Sequence, residues 1–179
     1  MRAMTITKNF PLILLLLLAP VVNGDVVVRA VEITAFGVFQ DYGKQFERGY
    51  SATGPGTYSL EYVRFVGFGS EIPGELGINF GIQYIIHSLP KGKPFRVTGV
   101  ITYPDKGLVS PDGQIYKSSQ EDMIVNLGEK NFYGFGFDKP WEIIPGEWKF
   151  QIKHNDAVLA QKTLIVLEPV LEPEQDHIL

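Results

Sequence analysis

The stretch "INFGIQYII", residues 78–86, decides the fold. Apolar side chains occupy every second position of it: Ile78, Phe80, Ile82, Tyr84 and Ile86. Successive side chains of a β-strand point to opposite faces, so a period of two predicts a strand with one face against a core. The chain around it is therefore expected to supply the rest of a sheet.

Similar segments lie on both sides of this strand, and none of them has a helical period. They span residues 31–39, 58–68, 95–103, 122–127, 132–137, 147–153 and 158–167. Glycine and proline separate them, as in Pro111-Asp112-Gly113, where each residue suits a turn for its own reason. Residues 41–57 and 105–120 are polar and rich in turn-formers, which predicts loops.

Three local features refine this picture. Gly37 interrupts its apolar segment and indicates a bulge or a close backbone approach. Asn155-Asp156 joins residues 147–153 to 158–167 as a hairpin, although Asn-Asp is a weaker turn signal than Asn-Gly. A change of parity after Leu159 indicates a bulge in the last strand.

These signals together predict an all-β chain. Seven to eight short antiparallel strands over residues 31–167 favour a single immunoglobulin-like β-sandwich domain. Antibody domains carry a Cys-Trp-Cys pattern, and this chain of 179 residues has no cysteine, so the prediction concerns the architecture alone. Residues 168–179 are acidic and contain prolines, and we expect a disordered tail there.

The first 24 residues have the pattern of a secretory signal peptide. Arg2 and Lys8 precede an apolar run at residues 10–19, and small Gly24 offers a cleavage point. Cleavage after Ala30 is the alternative. The run is too short for a membrane span, which needs about 20 residues. We therefore expect an exported protein, periplasmic or secreted, with no membrane span after cleavage.

Charge and composition exclude several classes of protein. Removing residues 1–24 takes away two positive charges and no acidic residue, so the formal net charge falls from −4 to −6. An acidic domain is a poor candidate for nucleic acid, whose phosphates need clustered Lys and Arg. Without cysteine there is no disulfide framework, thiolate nucleophile or cysteine-ligated zinc.

No catalytic or metal-binding motif is apparent. The three histidines, His87, His154 and His177, form no His-x-His or His-Glu-x-x-His pattern. There is no Gly-x-Ser-x-Gly elbow and no Walker lysine. We predict no cofactor, no metal and no catalytic residue.

One segment, "FDKPWE" at residues 137–142, remains a candidate binding surface, through Asp138, Trp141 and Glu142. Trp141 is either a plug at the rim of the sandwich or an interface anchor, since tryptophan is enriched at binding hot spots. Tyr133 belongs to an aromatic ladder that is either core or a stacking platform for sugar rings. Asp138, Glu142 and Glu147 could also supply a carboxylate pair for glycoside hydrolysis.

The same segment carries a family resemblance. "FGFDKPWEIIPGEWKFQIKHNDAVLAQKTLIV", residues 135–166, resembles the C-terminal half of the bacterial domain of unknown function 3859 family. Residues 72–86 and 101–113 are similar to its Ile-Pro…Phe-Gly strand and its Pro…Gly-Leu…Pro…Gly loop. The resemblance implies a small exported β domain, and it carries over no activity, cofactor or catalytic residue.

The residues support three hypotheses about function. The first is a non-enzymatic binding or accessory module that acts through loops or a strand edge on a protein or envelope partner. The second is a carbohydrate-binding module that uses Trp141 and Tyr133. The third is a carboxylate-dependent enzyme of the cell envelope.

Overall fold

The computed structural model of the chain describes residues 27–51 and 54–169. The predicted signal peptide, residues 1–24, lies outside the described residues, as does the tail from residue 170 onward. No helix within the described ranges is long and apolar enough to cross a membrane.

Strands dominate the described part of the chain. Eight of them have seven residues or more, and three have two. They are β1 Val27–Ser51, β2 Gly54–Phe68, β3 Glu71–Ile72, β4 Asn79–Leu89, β5 Pro94–Thr102, β6 Leu108–Val109, β7 Ile115–Tyr116, β8 Ser118–Asn126, β9 Lys130–Gly136, β10 Gly146–His154 and β11 Ala157–Val166. A single 3₁₀ turn, Pro140–Glu142, is the helical element of these ranges.

The long strands form two sheets. The first sheet has the order β2-β1-β4-β9, and the second has the order β3-β11-β10-β5-β8. Every pair is antiparallel except the short β3 against β11. The predicted all-β, immunoglobulin-like sandwich is confirmed.

The core lies between the sheets and follows the alternation of the opening stretch. Phe80, Ile82, Tyr84 and Ile86 of β4 are fully buried. The second sheet contributes Trp148, Phe150, Ile152, Leu164 and Val166 to the same cluster. The predicted buried face of β4 is therefore confirmed, because alternate side chains of both sheets meet in one apolar layer.

The prediction of a loop at residues 41–57 is wrong. There β1 runs on to Ser51 and pairs with β2, from Asp41 opposite Val63 to Ser51 opposite Gly54. The pairing of β1 with β4 ends at Phe39, so the two strands continue as a hairpin arm without β4. Backbone hydrogen bonds build such an arm without any apolar alternation, and alternation was the signal used.

The loop predicted at residues 105–120 needs a smaller correction. Its predicted Pro111–Gly113 turn is present, with Gly113 at φ +83°, but β6 and β7 pair across it. The strand expected from residue 122 begins at Ser118. Two-residue strands fall below the length at which periodicity can be recognised.

The three local features are confirmed. A Cβ at Gly37, where φ is +125°, would clash with the carbonyl oxygen of Gly67, so two backbones approach closely there. Asn155 and Asp156 have φ of 45° and 67° and join β10 to β11. Two positive φ values in sequence match the twist of a hairpin. Leu159 is the extra residue of a bulge in β11.

Candidate functional site

The turn after β9 is organised by Glu142. This residue ends the 3₁₀ turn and is only 4% exposed. Its Oε2 atom accepts hydrogen bonds from the backbone N–H groups of Asp138 and Lys139, each at 2.9 Å. Pro140 sets the turn between them with its fixed φ. The carboxylate therefore ties the segment back on itself.

The electrostatics of Glu142 fit this structural role. Burial raises the pKa of its carboxyl above the usual range, while the N–H groups of Lys139 and Asp138 and the nearby Lys139 charge act in the opposite direction. A raised pKa also occurs in general acids. Here the side chain is buried and its Oε2 atom is occupied by two backbone donors, and that arrangement favours a clamp over catalysis.

The neighbouring candidates diverge. Asp138 is exposed, whereas Trp141 is half-buried and packs against the core cluster. The ammonium of Lys139 lies 5.5 Å from the centroid of the Trp141 ring, within cation–π range. Asp138, Trp141 and Glu142 are close in sequence, but their side chains diverge. Asp138 extends into solvent, Trp141 lies at the rim of the sandwich and Glu142 lies in the interior.

Tyr133 lies elsewhere. It is 6% exposed and belongs to the core cluster, where its ring centroid is 6.2 Å from that of Phe150. It therefore does not form a surface with Trp141. Trp148 is fully buried as well, and its Nε1–H donates to the carbonyl of Ile144 at 2.9 Å. Within the described ranges, no three His, Asp or Glu side chains are grouped to hold a metal ion.

The structure reveals an apolar surface that the sequence interpretation did not single out. It lies at the end of β2 and consists of Phe65, Val66 and Phe68, here called the β2 patch. Phe68 is 77% exposed and Val66 49%. The rings of Phe65 and Phe68 stack with centroids 6.2 Å apart. Two exposed large apolar side chains thus lie within three residues of one strand.

Buried rings support the β2 patch from beside it. Phe39 of β1 is buried and lies opposite Phe65 in the register. The ring of Phe132, from β9, is 4.5 Å from that of Phe39 in an edge-to-face arrangement. A row of aromatic rings thus crosses the first sheet on the face away from the core.

A sequence signal for the β2 patch did exist. Apolar residues occupy both parities of residues 63–68, which left the register of this strand uncertain. The structure resolves that uncertainty with a bulge, because Val66 is the extra residue between the pairs Val38–Gly67 and Phe39–Phe65. A strand that is apolar on both sides and lies at a sheet edge must expose one set.

Comparison with known proteins agrees with this class of fold. The described chain defines an immunoglobulin-like β-sandwich, and its structure is similar to an immunoglobulin-like protein from Pseudomonas aeruginosa, with a TM-score of 0.54. That protein is 23% identical, and the match covers 82% of this chain and 99% of the other. No curated protein matches the chain.

The family is established by a different comparison. The model of the domain of unknown function 3859 (DUF3859) matches residues 27–166. The chain belongs to this family, and the resemblance found in the sequence is confirmed.

Proposed function

We propose that this protein is an exported, non-enzymatic binding module that engages a protein partner through the β2 patch. The observation that carries the proposal is the 77% exposure of Phe68 beside Val66 and Phe65 on an edge strand. Aromatic residues are enriched in the cores of protein interfaces. Contiguous apolar surface is rare on soluble monomers and commonly marks a contact site.

The position of β2 supports a protein as the occupant. β2 is the first strand of its sheet and pairs only with β1 among the described strands. Its free side can accept an extended segment of another chain, whose alternate side chains would cover the patch. By contrast, β8, an edge strand of the second sheet, carries the acidic residues Glu121 and Asp122. The carboxylate of Asp122 lies 3.9 Å from the guanidinium of Arg96. Charges of this kind protect an edge from pairing.

A non-enzymatic role is supported by the state of the best acid candidate. The carboxylate of Glu142 holds two backbone N–H groups, and Asp138, four residues before it, is exposed. General acid–base work needs a carboxyl within reach of a substrate. Glu142 is only 4% exposed, which keeps its carboxyl away from such a substrate.

Export is supported by the sequence before the first strand. Cleavage after Gly24 would leave β1 whole, because β1 begins at Val27. Cleavage after Ala30 would remove residues that pair with β4, including Val28 opposite Ser88. We therefore favour Gly24 as the cleavage point and the periplasm or the medium as the destination.

The experiment compares two apolar side chains of similar exposure, Phe68 and Ile124. A partner is first isolated from envelope extract and purified, and its affinity for the wild-type chain is measured by calorimetry. We expect Phe68→Ser to weaken binding at least tenfold. Ile124→Ser, on edge strand β8 and 71% exposed in the wild type, should leave the affinity unchanged. Equal affinities of the two variants would contradict the proposal.

The same protein samples distinguish two alternatives: a second copy of the chain at the β2 patch, and a sugar at Trp141. Analytical ultracentrifugation of the chain alone shows whether it forms a dimer through the β2 patch. A dimer that is lost in Phe68→Ser would identify a second copy of this chain, and not a different protein, as the occupant of the patch. A sugar that quenches tryptophan fluorescence would instead favour the carbohydrate-binding alternative at Trp141. Half-buried Trp141 offers only part of its ring for that purpose.

A further inference from the structure

The arm formed by β1 and β2 extends past the sandwich without a third described strand. β4 pairs with β1 only as far as Phe39, while β1 and β2 stay paired as far as Ser51 and Gly54. The part of β1 beyond Phe39 spans about 40 Å at the rise of a strand. A two-stranded ribbon alone is marginally stable in water and needs a further element against one of its faces. The described strands do not supply that element.

One face of the arm continues the core side of the first sheet. Phe36 and Val38 pack against the core cluster, and alternate residues of a strand belong to the same face. The even-numbered positions of residues 40–46 therefore lie on the core side. The register pairs them with the even-numbered positions of residues 58–64. These two sets of positions are here called the inner arm face.

Charge is sorted between the two faces of the arm. The inner arm face has no acidic residue, and its aromatic and basic positions are Tyr42, Phe46, Tyr58, Tyr62, Lys44 and Arg64. The odd-numbered positions of residues 41–47 and 57–63 include Asp41, Glu47 and Glu61 and no basic residue. An element that covers the inner arm face is therefore expected to be apolar and acidic.

β11 runs in the same direction as β1, from the facing sheet. β4 is antiparallel to β1, and the short turn at residues 90–93 reverses the chain from β4 into β5. β5 and β11 are both antiparallel to β10, so β1, β5 and β11 share one direction. The ammonium of Lys162 on β11 lies 3.7 Å from the centroid of the Phe36 ring on β1. This contact aligns the two strands.

The chain leaves β11 at the end of the sandwich from which the arm projects. Leu167 N–H donates to the carbonyl of Ile72 at 2.8 Å, and the next two residues are exposed. Because β11 belongs to the second sheet, the chain leaves on the side of the inner arm face. Residues 170–179 reach up to about 33 Å when extended, which is enough to follow most of the arm.

The composition of residues 170–179 is complementary to the inner arm face. Apolar Val170-Leu171 and Ile178-Leu179 flank an acidic stretch with Glu172, Glu174 and Asp176. The segment has no Lys or Arg. Composition alone predicts disorder here, but segments of this kind commonly fold when a partner surface is available.

We infer that residues 170–179 fold back along the arm and cover the inner arm face. The acidic stretch pairs with Lys44 and Arg64, and the apolar ends lie against the aromatic positions. The segment thus supplies the third element that the ribbon lacks. The β2 patch stays open, because Phe65 pairs with Phe39 on the other face of the arm.

The test uses the whole chain with one nitroxide label in this segment. The chain has no cysteine, so Gln175→Cys creates a unique attachment point. We expect the label to broaden the amide signals of Lys44 and Leu60, relative to the same label after reduction. The amide signal of Asn155, in the turn at the opposite end of β11, should not change.

Charge reversal on the arm tests the contact. Lys44→Glu combined with Arg64→Glu should weaken the broadening about fivefold, because two attractive charge pairs become repulsive. Lys106→Glu combined with Lys149→Glu changes the net charge equally at two exposed lysines. This control should leave the broadening unchanged.

Charge reversal in the segment gives a second test that does not depend on folding of the arm variant. Glu172→Lys combined with Glu174→Lys lies beyond β11 and should also weaken the broadening about fivefold. Joining this pair to the reversed arm should restore it.

Three results would overturn the inference. The first is the absence of broadening at the arm in the wild-type sequence that carries the label. The second is broadening that both pairs of reversals leave unchanged. The third is broadening that appears only when labelled chain is mixed with unlabelled, isotope-enriched chain, since the occupant would then be a second copy.

Discussion

The ring of Tyr133 lies in the space that a side chain at position 99 would need. A Cβ atom on Gly99 would be 2.5 Å from Cζ of Tyr133 and 2.6 Å from its Cε2. Gly99 belongs to β5 of the second sheet and Tyr133 to β9 of the first. The two sheets therefore close around this ring, which explains why Tyr133 is buried.

Substituting Gly99 should destabilise the fold by overpacking. Gly99→Ala is expected to lower the free energy of unfolding by about 1–3 kcal/mol, because the ring or the backbone must shift. Gly67→Ala is the control, since a Cβ there meets Val38 only at ordinary contact distance, 3.5 Å. Urea denaturation measures both, and equal losses would show that the ring has room to move.

The clamp at Glu142 predicts a difference between two substitutions. Glu142→Ala leaves the N–H groups of Asp138 and Lys139 without their acceptor, and we expect a loss of about 1–3 kcal/mol. Glu142→Gln keeps an oxygen at that position and should lose less. Chemical denaturation near neutral pH compares the two variants, and a larger loss for the glutamine variant would contradict the clamp.

The stability of the wild-type chain should depend on pH through the same residue. Burial raises the pKa of Glu142 in the folded state, so the folded state binds the proton more tightly than the unfolded state. The contribution of Glu142 to stability is therefore full below the ordinary glutamate pKa and is lost as pH rises through the raised value.

Glu142→Gln provides the reference for this measurement, because all other acids titrate in both proteins. The free energy of unfolding of the wild type minus that of Glu142→Gln should be greater at about pH 4 than at about pH 7. A difference that grows with pH would mean that the N–H groups outweigh the burial.

The two tryptophans should differ in their structural weight. Trp148 is fully buried and donates to Ile144, so Trp148→Ala should cost about 3–5 kcal/mol. Half-buried Trp141 packs at the rim, and Trp141→Ala should cost less. Thermal unfolding measures both, and a greater loss at Trp141 would place the structural centre in the turn after β9.

The β2 patch predicts a contrast between neighbouring phenylalanines. Phe68→Ser should change the free energy of unfolding by no more than about 0.5 kcal/mol, as is usual for exposed positions. Phe39→Ala, at a buried ring beside the patch, should cost about 3–5 kcal/mol. Large destabilisation by Phe68→Ser would show that this ring serves the fold and would weaken its proposed role in binding.

The hairpin turn offers a stabilising substitution. Asp156 has φ of 67°, and a residue without a Cβ relieves the crowding of that conformation. Asp156→Gly should raise the free energy of unfolding by about 0.5–1 kcal/mol, since Asn-Gly suits this turn better than Asn-Asp. Ala157→Gly, one residue later in β11, should lower it by a similar amount. Differential scanning calorimetry reports both changes.

The parts of the fold that sequence could predict are those with one buried face. Alternation at Phe80, Ile82 and Tyr84 marks β4 because a core lies on one side only. The arm formed by β1 and β2 was not predicted, because it depends on backbone pairing beyond the end of β4. Periodicity reports which side chains are buried, so it is silent where a strand is held by its neighbour alone.

The candidate site was harder to predict for a related reason. Composition identified the turn with Asp138, Trp141 and Glu142, but the distribution of these side chains between solvent and interior depends on Oε2 of Glu142 meeting two N–H groups. No local pattern carries that information.

The aromatic cluster around Trp148 also gives the chain an optical signal of its own state. The ring centroids of Phe80, Tyr103, Phe135 and Phe137 lie 5.0–5.7 Å from that of Trp148. Rings held rigidly at such distances couple their electronic transitions, and excitation absorbed by Tyr103 passes to the indole. Loosening of the interface between the sheets would restore tyrosine emission, so folding and unfolding can be followed without attaching a dye.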